Sequence, residues 1–260
     1  MAANERILVK LGGTLLDEAE SRKRLSREIA QLSRTGAHLT VVHGGGKQMT
    51  RYLAERGVES QFVNGLRVTT PEVVDALLKI FAGSVNHGLV ASLVEAGAMA
   101  VGLSGIDALL AEAEQMDPKL GAVGRVVRSN GGILETLTGA GYLPVVACVA
   151  GDRAGNIYNV NADQMAVACA GGFRASRLVF LTDVEGVLDQ NKALIPRLNK
   201  AGCAELVASG VASGGMQAKL EAATAALDSG VAHVHIVGGA RPQVLSAILA
   251  GEATGTLLEV

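Results

Sequence analysis

Tryptophan is absent from the 260 residues, and all aromatic residues together make up 3% of the chain. A sequence so poor in rings offers no stacking platform for nucleobases. Charge is sparse as well: Asp, Glu, Lys and Arg account for 18%, and the net charge is −2 at pH 7. No basic field therefore advertises nucleic acid or an anionic membrane surface. Cys148, Cys169 and Cys203 cannot all pair, and no two of them sit at metal-ligand spacing. They read as small buried hydrophobes in a reducing compartment. The five histidines form no i, i+4 pair and no HExxH, so no zinc site is expected. The hydrolase pattern G-x-S-x-G is missing too. Long apolar runs are lacking: the longest uncharged stretch, Thr136 to Gly151, falls short of the ~20 residues a spanning helix needs. Charges at Glu5, Arg6 and Lys10 argue against a signal peptide. A cytoplasmic protein with no nucleic-acid or membrane partner is the expectation.

What the chain does have is glycine, 33 residues of it, in a background that is 49% hydrophobic. Short apolar runs at Ile7–Lys10, Leu39–His43, Met99–Leu103, Pro144–Val149, Leu178–Thr182 and His233–Val237 alternate with segments of helical period. Continuous apolar strands of this kind are covered on both faces, so βαβ repetition and a mainly parallel sheet follow. Thr70-Pro71-Glu72 has the cap, proline and acid of a helix start. Met216, Leu220, Ala223 and Leu227 make a helical stripe closed by Gly230. The piece from about Gly121 to Gly132 resembles a small hairpin outside the main sheet. The chain reads as one unit with two lobes divided near residue 175.

Several motifs sit where strands meet helices. Val41-Val42-His43-Gly44-Gly45-Gly46-Lys47 runs a buried strand through three glycines into a helix. Bare backbone amides and a helix N-terminus there suit a phosphate or carboxylate. It fits neither the P-loop nor the dinucleotide fingerprint. Leu8-Val9-Lys10-Leu11-Gly12-Gly13 repeats the arrangement, with Lys10 expected to reach over the sheet edge, where open α/β sheets bind ligands. Arg67 lies in a turn region between two helices and is suited to grip a carboxylate bidentately. Asn159, Asn161 and Asp163 exceed what helix capping requires and would face one pocket if the segment were extended. Lys219 lies one turn inside a helix that begins at Gly214-Gly215.

VKLGG (9–13), HGGG (43–46), NGLRVT (64–69), GLSGID (102–107), GYLPVV (141–146), NVNADQ (159–164), TDVEGV (182–187) and GGMQAK (214–219) occur in order over nearly the whole chain. Together they resemble the amino acid kinase family, and most specifically its branch that phosphorylates an N-acetylated amino acid. The resemblance implies an open αβα sandwich around a mainly parallel sheet of about eight strands, the carbamate kinase-like fold. Residues 1–260 would form one such domain, with the acyl amino acid held by a lobe of about 1–175 and ATP by about 176–260. It implies phosphorylation of the side-chain carboxylate of N-acetyl-L-glutamate by ATP with nucleotide-bound Mg²⁺, a step of arginine biosynthesis. Lys10 and Lys219 correspond to lysines flanking the migrating phosphoryl group, and Asp163 to the carboxylate orienting both. Gly45 and Gly46, with Gly44 beside them, correspond to substrate-contacting backbone. Arg67, Asn159 and Asn161 correspond to side chains that hold the acyl amino acid. Gly12, Gly13, Asp183, Val184, Glu185, Gly186, Val187, Leu188, Val211, Ala212 and Ser213 correspond to nucleotide-binding segments. No resident protein-bound metal is implied.

The chemistry suits this set. A side-chain carboxylate, with an ordinary pKa of about 4.3, is already ionised at neutral pH and needs no general base. The task is to suppress repulsion between two anions. A carboxylate kinase acting on an aminoadipate derivative and a non-catalytic nucleotide or amino-acid sensor are the rival readings. A homodimer insensitive to arginine is expected, because the chain starts almost at its first strand, without the extra N-terminal helix of hexameric relatives. Leu77 to Val94 is the candidate dimer surface.

Overall fold

A computed structural model describes residues 5–260, so the reading of the first four lies outside the described residues. The chain begins with β1 (Arg6–Leu11), α1 (Gly13–Asp17), α2 (Ala19–Ser33), β2 (His38–His43), α3 (Gly46–Ala54), β3 (Phe62–Val63) and β4 (Leu66–Arg67). Next come α4 (Pro71–Leu77), a π-helical stretch (Leu78–Val85), α5 (Asn86–Glu95), β5 (Ala100–Ser104), β6 (Ala111–Gln115), β7 (Gly124–Ser129) and α6 (Gly132–Gly139). β8 (Leu143–Ala147), β9 (Val149–Gly151), β10 (Ile157–Asn159), α7 (Ala162–Phe173) and β11 (Arg177–Thr182) follow. The last part holds β12 (Arg197–Leu198), α8 (Lys200–Ala208), α9 (Gly214–Asp228), β13 (His233–Gly238), α10 (Val244–Leu249) and β14 (Thr256–Glu259).

The main sheet has eight strands in the order β12-β14-β13-β11-β1-β2-β8-β5. All neighbours run parallel except β13 and β14. Every strand read from an apolar run is present, and β1 stands between the two halves of the sheet. Side-chain alternation divides the core. Ile7, Val9, Val41, Val145 and Val179 face one way, against Leu25, Ile29, Leu89 and Ile248. Leu8, Val42, Val146, Phe180 and Ile236 face the other, against Met165, Phe173 and Leu220. Lys10 falls on the Leu8 face, the side covered by α7.

Two expectations are corrected. Gly124–Ser129 is a single strand, not a complete hairpin: it pairs antiparallel with β6 inside a separate four-stranded sheet ordered β10-β9-β6-β7. And one helix is long and apolar enough to cross a membrane, the continuous run Pro71–Glu95. The sequence reading missed it because Glu72, Asp75 and Lys79 interrupt the apolar run. Val73, Leu77, Phe81, Leu89 and Leu93 are buried in the two cores, so this helix is packed on the protein body. Its start is as read, with Thr70 Oγ1 accepting from Val73 N at 3.4 Å and Pro71 following. Beyond α9, Gly230 takes a φ of +95°, which ends that helix as expected.

The start of α6 and the last turn of α7 meet tightly at Gly131, where a Cβ would lie 2.0 Å from the carbonyl oxygen of Gly172. Both partners are backbone, so neither can swing away. Gly131→Ala is expected to cost about 2–3 kcal/mol, read as a lower urea midpoint at unchanged m-value.

Candidate active site

Two glycine-bearing turns converge at the carboxyl ends of the central strands. β2 delivers Gly44, Gly45 and Gly46 into α3, and β1 delivers Gly12 and Gly13 into α1. The two turns are neighbours: a Cβ on Gly13 would sit 3.7 Å from Gly46 N. Gly12 N donates to Leu181 O at 3.0 Å, which ties the first turn to the end of β11. Gly45 has no room for a side chain, since a Cβ would lie 2.8 Å from Phe81 Cδ1.

Lys10 is where the structure departs from the simple expectation of a lysine reaching over the sheet edge. It is buried, with only 7% of its surface exposed. Its ammonium lies 2.6 Å from Asp163 Oδ1, and Lys219 Nζ lies 3.8 Å from the other oxygen, Oδ2. One carboxylate thus links β1, α7 and α9. Asp163 is itself fixed because Asn161 caps α7, its Oδ1 accepting from Asp163 N at 2.9 Å and Gln164 N at 3.3 Å. The segment is therefore not extended throughout. It changes from strand at Asn159 to helix at Ala162, and Asn161 spends its oxygen on the cap.

Arg67 stands on β4, in a hairpin turned by Asn64 and Gly65 at φ values of +50° and +78°. Its guanidinium donates to Thr50 Oγ1 at 2.8 Å, to Gly46 O at 3.2 Å and to Ser60 Oγ, and stacks over Phe62 at 4.6 Å. All three acceptors are neutral. Among the described residues no carboxylate pairs with it, although it is 8% exposed. Burial holds its pKa below the ordinary arginine value. A desolvated cation with no counter-ion is poised for an anionic ligand.

A cleft of about 160 Å³ brings Gly44, Gly45, Gly46, Arg67, Asn159 and Asn161 together, with Phe81 and Val160 as apolar walls. A larger cavity of about 730 Å³ continues past Asn161 to Asp163, Lys219 and Gly214–Gly215. The sequence did not single out Thr69, whose buried hydroxyl accepts from Asn159 Nδ2 at 3.0 Å and donates to Arg67 O at 2.8 Å. It also missed Phe62 and Phe81, which only the fold brings to the cleft. Among the described residues no three His, Cys, Asp or Glu side chains gather as a metal set.

The segments assigned to the nucleotide are not in either cavity. Asp183, Val184, Glu185 and Leu188 lie exposed in the loop after β11, and Val211 and Ser213 are exposed just before α9. Val187 and Ala212, by contrast, are buried core side chains, and Gly186 is buried beside them. Val187 N donates to Thr256 Oγ1 at 2.8 Å and Ala212 N to Leu206 O at 2.9 Å. These residues support the loops from within, and their side chains face the core.

A model of the amino acid kinase family matches residues 5–238. The chain is 64% identical over 251 residues to an acetylglutamate kinase of Solibacter usitatus, covering 96% of this chain and 98% of that one. It is 40% identical over 268 residues to an acetylglutamate kinase of Rhodopseudomonas palustris, covering 98% and 90% respectively. Among solved structures, N-acetylglutamate synthase from Neisseria gonorrhoeae superposes with a TM-score of 0.88 at 24% identity. That match spans 98% of this chain and 59% of the synthase, and it speaks to the fold alone. The chain belongs to the amino acid kinase family.

Two buried histidines give the protein a pH dependence. Burial pushes His43 down to about 4 and, with Arg177 and His233 nearby, His235 down to about 3. The unfolded chain takes up these protons near pH 6.5, so stability falls as pH drops from 7 toward 4. Glu28 has the opposite sign, since burial raises its pKa and the native state holds the proton longer. His235→Gln is expected to reduce proton uptake on unfolding near pH 5 by about one, read from urea midpoints across the range.

Proposed function

We propose that the chain transfers the γ-phosphoryl group of Mg-ATP to the side-chain carboxylate of N-acetyl-L-glutamate, a step of arginine biosynthesis carried out in the cytoplasm. The observation that carries this reading is the spacing of positive charge along one cleft. A buried Arg67 without an acidic partner lies at one end, and the Lys10–Asp163–Lys219 cluster at the other. The 64% identity to an acetylglutamate kinase supports the choice of substrate.

In this reading the residues up to about 175 hold the acyl amino acid and the remainder hold the nucleotide. Arg67 and Asn159 grip the α-carboxylate and acetamido end, and Asn161 offers its remaining amide to the same ligand. The acceptor carboxylate is directed at the lysines. It arrives ionised, so no residue has to remove a proton. Lys10, Lys219 and the amides of the glycine turns offset the charge of the acceptor and of the migrating phosphoryl group. Asp163 holds both ammonium groups in place. It is already occupied by two cations, and magnesium travels with the nucleotide as part of that substrate.

Hydroxylamine trapping tests the reaction directly, because an acyl phosphate is converted to a coloured hydroxamate. Product is expected chiefly from N-acetyl-L-glutamate, with N-acetylaminoadipate and free glutamate far behind. Lys10→Ala and Lys219→Ala are each expected to lower kcat by about 100-fold or more. Turnover near that of the unaltered protein would remove the role given to that lysine.

We also propose a homodimer through the long helix. Ser84, His87, Gly88, Ala91 and Val94 form an exposed, uncharged stripe on it, and Met99 is 65% exposed close by in sequence. Light scattering is expected to give twice the chain mass, and Ala91→Glu to give a monomer with its fold intact.

A further inference from the structure

The glycine turn after β2 is held from inside by groups that do not line the cleft. Each of its three peptide planes has its carbonyl engaged by a separate interior donor. His43 O accepts from Cys148 Sγ at 2.8 Å, Gly44 O lies 2.7 Å from His43 Nδ1, and Gly45 O accepts from Met49 N at 2.9 Å. In a trans peptide the N–H points opposite to the C=O. The amides of Gly44, Gly45 and Gly46 are therefore turned away from those donors. Gly44–Gly46 line the 160 Å³ cleft, whereas His43, Cys148 and Asn86 do not.

The tautomer of His43 follows from its two neighbours. Asn86 Nδ2 lies 3.0 Å from His43 Nε2 and 2.9 Å from Val145 O. Gly44 O can only accept, so Nδ1 carries the proton. The neutral ring then leaves Nε2 to accept from Asn86 Nδ2, whose other acceptors are Val145 O and, at 3.4 Å, Leu103 O. Nδ1–H is then the donor to Gly44 O. Gly102 is part of the same device, since a Cβ there would lie 2.1 Å from Asn86 Oδ1. His43, Asn86 and Cys148 are 0%, 1% and 0% exposed, so water cannot replace any of these bonds.

We infer that His43, Cys148 and Asn86 are positioning residues that aim the glycine-turn amides into the cleft at the transferring anion. The inference rests on the kinase reading above. Cys148 is buried in the core as expected, and its thiol in addition donates to His43 O. Misaimed amides would weaken stabilisation of the transition state more than binding of ATP, so the effect falls on kcat.

The test uses the full chain labelled with ¹⁵N. Long-range ¹H–¹⁵N spectra at pH 7 are expected to show His43 protonated at Nδ1, and the Gly44 and Gly45 amides as single sharp signals. His43→Leu is expected to split or broaden those amides and to lower kcat by about 10–100-fold, with KM for ATP within about threefold. His43→Asn, which keeps a donor at the δ position, is expected to recover most of kcat. Should His43→Leu not fold, Cys148→Ala is expected to lose about fivefold in kcat and Cys148→Ser to restore it. An Nε2–H tautomer, or a folded His43→Leu with kcat within twofold of the unaltered protein, would overturn the inference. An unaltered protein that makes no hydroxamate removes the kinase reading alone, since the tautomer and amide signals still judge the positioning.

Discussion

A lysine on the central strand of an eight-stranded sheet can stay charged only if something nearby offsets the loss of water. Asp163 is that group, and its 2.6 Å pairing with Lys10 is the constraint around which the site is built. Moving an ammonium into a low-dielectric interior costs several kcal/mol unless geometry and further hydrogen bonds compensate. Here the geometry is supplied by three separate elements. β1 presents Lys10 on the face covered by α7, Asn161 fixes the first turn of α7, and α9 brings Lys219 to the second oxygen. The pairing sits at the middle of the sheet, because β1 is bonded to β11 on one side and β2 on the other. Folding and charge placement are therefore one requirement. Two cations with one carboxylate leave a net positive charge at the end of the cleft, and that surplus is what an anion would meet.

Arg67 is stabilised differently. Its hydrogen bonds go to two hydroxyls and a carbonyl, and its flat face rests on Phe62. Neutral acceptors satisfy the donors without neutralising the charge. The protein has thus kept one buried cation paired within a cluster that carries a surplus positive charge, and another unpaired at the opposite end of the same space. An anionic ligand completes the second and shares the surplus of the first, which gives the cleft a direction as well as a sign. Thr69 adds order to this end by joining Arg67 O and the Asn159 amide through one hydroxyl.

Much of this was legible in the chain itself. The apolar runs gave the six long strands of the sheet, because parallel strands covered on both faces have no alternative but continuous hydrophobicity. The glycine turns announced themselves by composition. The edges were not legible: β12 has two residues and β14 has four, too short for any pattern to show. By its local pattern Lys10 is a terminal lysine reaching outward, since its partner lies far along the chain; only the family resemblance points to Asp163. Asn161 and Asp163 stand out in the sequence as an excess of short polar residues, and the structure divides that excess into one cap and one counter-ion. Val187 and Ala212 were carried along with their exposed neighbours. Only the packing against β14 and α8 turns them inward.

The long helix shows why Gly45 in particular has to be bare. Its buried positions are Val73, Ala76, Leu77, Ile80 and Phe81, at ordinary α-helical spacing. Asn86, Leu89 and Leu93 follow, a set that falls behind the 3.6-residue period of the first. Over so many turns, an unbroken α-helix would carry that stripe away from the protein body. The π-helical stretch from Leu78 to Val85 has wider turns, which take up the drift and keep the stripe facing inward. The same adjustment holds Phe81 and Val85 against the glycine turn, where a Cβ on Gly45 would meet both side chains within 3.4 Å. Phe81 thereby walls the cleft, and the turn can approach it only as backbone. The helix that lines the cleft is thus also the reason Gly45 carries no side chain.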